Sequence, residues 1–147
     1  MAHTANSIVI NAPYDKIFDI SNDISRWKEL FEEYTASDVL ETKDNKITFQ
    51  LTHKNGNSWK SYRLLFKEDK FTYACKIEPM FPFEYMKIIW LYTDTGGGIK
   101  MTWIQDFKMD KGAKFTDEQV EKMMNEHSQV NLKRFKEIIE KEAKVNA

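Results

Sequence analysis

The period of the hydrophobic positions changes along the chain, and each change marks a new kind of element. Residues 7–10 alternate, with Ile8 and Ile10 on one side, which predicts a short strand. Pro13 suits a helical first turn, and Ile17, Phe18 and Ile20 supply the apolar side of the short helix that follows. Asn22-Asp23 breaks it. A second helix is predicted from about Ser25, with Trp27, Leu30, Phe31 and Tyr34 at helical spacing. From residue 36 to 109 the period is two. Val39 begins one strand, and Ile47, Phe49 and Leu51 alternate with Thr48, Gln50 and Thr52 in the next. Residues 59–66, 71–77, 85–92 and 99–107 extend the run. Asn55-Gly56 reads as a hairpin turn. Gly96-Gly97-Gly98 also lies between strands, with no helix N-terminus behind it to bind a phosphate. Pro79-Met80-Phe81-Pro82 interrupts strand pairing.

From Thr116 to the tail the pattern is that of one long amphipathic helix, opened by a capping box of Thr116 and Gln119. Its apolar positions are Val120, Met124, Phe135 and Ile138, flanked by Met123 and Ile139. His127 and Asn131 fall on the same face. A buried Asn without partners is destabilising, so this face meets a polar network or lines a cavity.

This order of elements predicts an α+β fold. A curved antiparallel sheet wraps around the long C-terminal helix, and two short helices close one end. The chain is expected to form a single domain over residues 1–147, with a cavity between sheet and helix.

Composition narrows the chemistry. Ten Phe, six Tyr and four Trp in 147 residues can fill a core and still line a pocket. A net charge of −1, dispersed along the chain, lacks the basic stripe of a nucleic-acid binder. The single Cys75 excludes an internal disulfide, and no Cys/His spacing suggests a metal site. Without an apolar leader or a membrane-length apolar run, a cytoplasmic protein with no membrane association is expected.

Alternation puts Trp59, Ser61, Arg63 and Leu65 on one side of their strand. If that side faces the helix, Arg63 is a charge inside the fold; a surface arginine is the equal alternative. Met101, Trp103, Gln105 and Phe107 share a face, so Gln105 points inward, either as a cavity group or as a core amide bonded to backbone. Tyr34 is a possible proton donor and His127 a possible general base, each weighed against simple packing or hydrogen bonding. His3 and His53 look incidental. No serine triad, Cys–His pair or glycosidase carboxylate pair is present.

Several segments in order resemble the aromatase/cyclases of bacterial type II polyketide synthesis, the tetracenomycin type in particular. They are residues 6–13, Asn22-Asp23-Ile24, Trp27-x-x-Leu30-Phe31-x-Glu33-Tyr34, Trp59-x-Ser61-x-Arg63, Pro82-Phe83-x-Tyr85-Met86, Trp90-x-Tyr92, Trp103-x-Gln105-x-Phe107, and Asn131 ahead of Lys136-x-Ile138-Ile139-Glu140. The resemblance implies a helix-grip, START-like fold. It implies an interior pocket that receives a poly-β-ketone from an acyl carrier protein and minimal polyketide synthase. It also implies aldol cyclisation and dehydration without metal or organic cofactor. In that family Arg63 matches an essential pocket arginine and Tyr34 a tyrosine with an acid or supporting role. Trp27, Trp59, Trp90, Gln105 and Asn131 match pocket-shaping or hydrogen-bonding positions; Ser61, Trp103 and His127 are grouped with them as substrate-binding candidates. Asn57 stands where the resemblance to the tetracenomycin-type domain implies a Trp, and the segment at residues 78–81 is one residue longer and more apolar than its counterpart there. Lys54, Lys60, Lys87 and Lys114 are candidates for docking an acidic carrier protein. The rival reading is a non-catalytic carrier of a hydrophobic small molecule. A stress protein with an unspecific pocket is a weaker third, because it gives no reason for an inward arginine.

Overall fold

The computed structural model describes residues 1–145. Seven strands form one antiparallel sheet: β1 (Ala2–Ile10), β2 (Tyr34–Lys43), β3 (Lys46–His53), β4 (Ser58–Phe66), β5 (Phe71–Glu78), β6 (Phe83–Asp94) and β7 (Ile99–Met109). Their order is β1-β7-β6-β5-β4-β3-β2. Consecutive strands pair as a meander, while β1 crosses over to pair with β7 along its whole length, Ala2 with Phe107 through Ile10 with Ile99. Between β1 and β2 lie α1 (Tyr14–Ser21), a single 3-10 turn (Ile24–Arg26) and α2 (Trp27–Leu30). The long helix α3 (Asp117–Val145) follows β7. This is the curved sheet gripping a helix that the periodicity predicts.

Local chemistry accounts for the boundaries. The Thr116 backbone N–H donates to Gln119 Oε1 (2.9 Å), and the Gln119 N–H donates to Thr116 Oγ1 (3.2 Å), which closes the predicted capping box. Asn55-Gly56 and the glycine triplet both turn hairpins. At Gly98, with φ +151°, a Cβ would stand 2.8 Å from Asn11 Oδ1 and Val9 Cγ1, so only glycine lets β7 start beside β1.

Three expectations need correction. Strand β1 starts at Ala2 rather than residue 7, because Thr4 and Asn6 find polar partners that let a polar stretch be buried. The second helix is one turn, and Tyr34 opens β2 instead of continuing the helix. Its apparent helical spacing with Trp27 arises because the loop after Leu30 tucks Phe31 back into the core. On α3 the buried line runs Val120, Ser128, Asn131, Leu132, Phe135, Ile139 and Ala143. Met123 is 39% exposed, His127 is exposed, and Ile139 replaces Ile138 at the centre of the stripe.

The core is split. The larger cluster joins the C-terminal half of α3 (Leu132, Phe135, Ile139) to α1, α2 and the concave sheet face. A smaller cluster gathers Ala2, Met86, Phe107, Met109 and Val120. Each fully buried Phe or Leu adds about 2–3 kcal/mol of apolar burial. Towards its start α3 instead offers Val120, Met124 and Ser128, whose volumes leave the sheet uncovered between the two clusters.

Candidate functional site

That uncovered space is a cavity of about 780 Å³. Its floor is made by β4, β5, β6 and β7, its roof by α3, and one wall by the loop from α2 into β2. The rim carries the β3–β4 turn, residues 79–82 and the start of α3, where Phe81 and Phe115 are 59% and 41% exposed. The volume suits a drug-sized organic ligand, and the walls are mostly apolar, with ten Phe, Tyr and Trp side chains among them.

Every catalytic and substrate-binding candidate from the sequence, from Trp27 to Asn131, borders this cavity. Arg63 is the most informative. Strand β4 turns Ser61 and Arg63 inward, and Arg63 is 1% exposed. Its Nε donates to Asn22 Oδ1 (2.9 Å) and its Nη2 to Thr72 Oγ1 (2.7 Å). Asn22 is itself fixed by donating to the Phe18 carbonyl and to Tyr92 Oη. The guanidinium carbon lies 3.9 Å over the Trp90 ring and 5.3 Å over Trp27. Among the described residues no carboxylate pairs with it. Burial therefore pulls its pKa down to about 10, yet it remains cationic at neutral pH. Two of its five N–H groups are satisfied by protein, and the other three make no hydrogen bond with the described residues.

Around this charge the indoles are stacked. Trp90 and Trp103 lie 4.6 Å apart at 10°, and Trp27 lies 5.7 Å from Trp90 at 27°. Trp27 Nε1 donates to the Ser21 carbonyl (3.0 Å). Trp103 Nε1 is the one buried side-chain polar atom without a partner among the described residues. Tyr34 packs edge-on to Trp59, with ring centroids 5.9 Å apart, and its hydroxyl makes no hydrogen bond with the described residues. Burial pushes the Tyr34 pKa well above its ordinary value, so it is protonated throughout the working range.

Gln105 lines the cavity as a side-chain partner rather than a backbone-bonded amide: its Oε1 accepts from Thr4 Oγ1 (2.8 Å). Asn131 accepts from the Glu32 N–H (3.1 Å) and donates to Glu33 Oε1 (2.9 Å), thereby clamping the loop that carries Tyr34. His127 sits on the exposed side of α3, at the edge of the cavity, because the helix turns Ser128 inward in its place.

Sequence reasoning missed several lining groups. Glu33 is the carboxylate among them, Lys76 an inward amine, and His53, set aside as incidental, borders the cavity as well. Alternation with Ala74 is the signal that would have placed Lys76 inside. His3 is on the surface, 2.5 Å from Asp106 Oδ1. Of the proposed docking lysines, Lys54 and Lys114 adjoin rim residues. Lys60 pairs with Glu78 (3.6 Å), and Lys87 alternates with inward Met86 and Ile88, which puts it on the outer sheet face away from the rim.

A family model described as polyketide cyclase/dehydrase and lipid transport matches residues 1–140. A protein of Streptomyces cyaneus, provisionally named a polyketide cyclase, is 39% identical over 143 residues, covering 94% of this chain and 93% of that protein. Among solved structures, the Zhui aromatase/cyclase from Streptomyces sp. R1128 superposes with a TM-score of 0.79 at 16% identity, covering 97% of this chain and 93% of its own. The di-domain aromatase/cyclase StfQ from the steffimycin pathway gives 0.82 at 16% identity, with 97% of this chain matched to 51% of that one. At these identities the two structures establish the shared helix-grip fold.

Proposed function

The chain belongs to the polyketide cyclase/dehydrase and lipid-transport family, and from that premise we propose that it cyclises a carrier-bound poly-β-ketone held in the cavity. The reaction is a regiospecific intramolecular aldol condensation followed by dehydration to an aromatic ring. The observation that carries this reading is Arg63: a buried, carboxylate-free guanidinium with unused donors on the wall of an aromatic cavity.

The residue chemistry fits the task. A methylene between two carbonyls is already acidic, so the demanding steps are choosing which carbons meet and stabilising the oxyanion that forms. A shaped cavity supplies proximity. The Arg63 N–H groups supply positive charge that is held in place before the reaction, worth about 3–4 kcal/mol per well-placed donor in comparable sites. Tyr34, held protonated by burial, is the proton donor for loss of the hydroxyl as water, directly or through a bound water. Aromatic walls exclude solvent and suppress wrong ring closures. Lys54 and Lys114, beside the rim, are where an acidic acyl carrier protein would dock, and that binding should weaken as salt rises.

The test is product analysis in a reconstituted minimal polyketide synthase, with and without this protein and with Arg63→Ala. A shift from shunt products to one ring pattern, lost in the variant, supports the proposal. An unchanged profile refutes it and favours a carrier of a hydrophobic small molecule, which extraction of bound ligand would identify.

A further inference from the structure

Lys76 has no part in the scheme above, yet its surroundings are those of a reactive amine. On β5 it pairs with Ser61 of β4, two residues nearer the rim than the Ala74–Arg63 pair. Its Nζ lies 4.7 Å from the centroid of the Trp59 ring and 4.8 Å from that of Phe83. No carboxylate stands within ion-pair distance among the described residues. The carboxylate on the cavity wall, Glu33, is engaged by Asn131. The other titratable groups bordering the space are Arg63, Tyr34, Cys75, His53 and His127. The two ring faces favour the ammonium by about 0.5–1 kcal/mol each. Partial removal from water, with no anion beside it among the described residues, acts in the opposite direction and favours the neutral amine. Burial alone brings its pKa to about 8.

We propose that Lys76 is a nucleophilic amine that condenses with one carbonyl of a 1,3-dicarbonyl ligand in the cavity. The neutral Nζ adds to the carbonyl carbon, and a proton passes from nitrogen to oxygen to give a carbinolamine. The C–O bond then breaks with loss of one water to leave an imine, which tautomerises to a conjugated enaminone. No oxidant or reductant is consumed. In the protonated imine the neighbouring methylene is more acidic than beside a ketone, so the adduct also activates an aldol donor carbon. That last role rests on the cyclase reading; the condensation itself does not.

The experiment uses 2,4-pentanedione as the probe with the full chain, across a pH series from about 6 to 10. Enaminone formation is followed by its ultraviolet absorption and located by peptide mass spectrometry. An amine that titrates at about 8 carries about two hundredfold more free base near neutral pH than one at about 10.4. The expected result is one adduct per chain, on Lys76, with the mass of the diketone less one water. Its rate should rise with a midpoint near pH 8, and the adduct should be absent from Lys76→Arg that keeps the wild-type circular dichroism. No adduct, modification spread over the surface lysines, or an undiminished adduct in Lys76→Arg overturns the proposal. Peptide mapping of the wild-type protein decides the matter even if the variant misfolds. A Lys76 adduct with an unchanged polyketide profile would remove the cyclase reading alone; directed cyclisation without an adduct would remove this inference alone.

Discussion

Replacing Arg63 with Met separates a group kept for chemistry from one kept for stability. Methionine preserves much of the aliphatic stem and removes the charge. The fall of the Arg63 pKa to about 10 corresponds to about 3 kcal/mol of cost for holding the guanidinium charged out of water. Against its relief stand two lost hydrogen bonds, to Asn22 and Thr72, and the stacking over Trp90 and Trp27. Charge-assisted hydrogen bonds contribute about 1.5–3 kcal/mol each and a desolvated cation–π contact about 2. The losses sum to about 5–8 kcal/mol and exceed the roughly 3 kcal/mol relieved, so the variant should be about 2–5 kcal/mol less stable than wild type in urea. Correct cyclisation should fall about a hundredfold or more, the cost of removing an oxyanion donor. The assay pairs urea denaturation by tryptophan fluorescence with product analysis in the reconstituted synthase. Directed cyclisation at wild-type rate would refute the catalytic argument. Destabilisation well beyond that window would make Arg63 a structural residue.

Three further outcomes follow from the same geometry. Tyr34→Phe removes a hydroxyl without a hydrogen bond to the described residues, so thermal stability should move by no more than about 0.5 kcal/mol while dehydration slows, and accumulation of the undehydrated aldol product is the readout. Asn131→Leu leaves the Glu32 N–H and the Glu33 carboxylate unpaired, which should cost about 2–3 kcal/mol and loosen the loop bearing Tyr34, seen as faster amide exchange at residues 31–34. Lys76→Met should stabilise the fold at neutral pH. The native state disfavours the charged amine, so the unfolded chain binds more protons between about pH 8 and 10.4, and wild-type stability rises with pH through that window. The gain in the variant, about 1–2 kcal/mol after allowing for partial exposure, should therefore fade above about pH 10. A gain that persists at high pH would show that packing, not charge, is responsible.

Much of the fold was legible because its signals are local. Alternation, the Asn-Gly and triple-glycine turns and the Thr116–Gln119 box each act within a few residues, and each is found where its pattern put it. Arg63 was harder. Both faces of β4 are rich in apolar residues: the outer one carries Tyr62, Leu64 and Phe66, with Phe66 stacked on Phe71 at 4.6 Å and Tyr62 beside Tyr73 at 6.5 Å. Hydrophobicity alone therefore could not say which face turns inward. The resemblance to aromatase/cyclases favoured the inward arginine, and the pairing of β4 between β3 and β5 in a sheet curved toward α3 put it there.

The sequence by itself determined the element types, the turns and the cap, because these depend on short-range sterics and hydrogen bonds that the chain carries wherever it goes. It also contained the aromatic supply and, on an alternating strand, Arg63. Tertiary structure decided what those residues surround. The rotation of α3 that buries Ser128 and exposes His127, the placement of Tyr34 on a strand, the Asn131 clamp on Glu33 and the unpaired Lys76 all depend on partners from distant segments. A helical pattern constrains such a rotation only to within about one residue, since positions a step apart on a broad apolar stripe differ little in hydrophobicity. What selects between them is whether the side chain meets packed sheet or open cavity, and that contrast exists only once the sheet has curved around the helix.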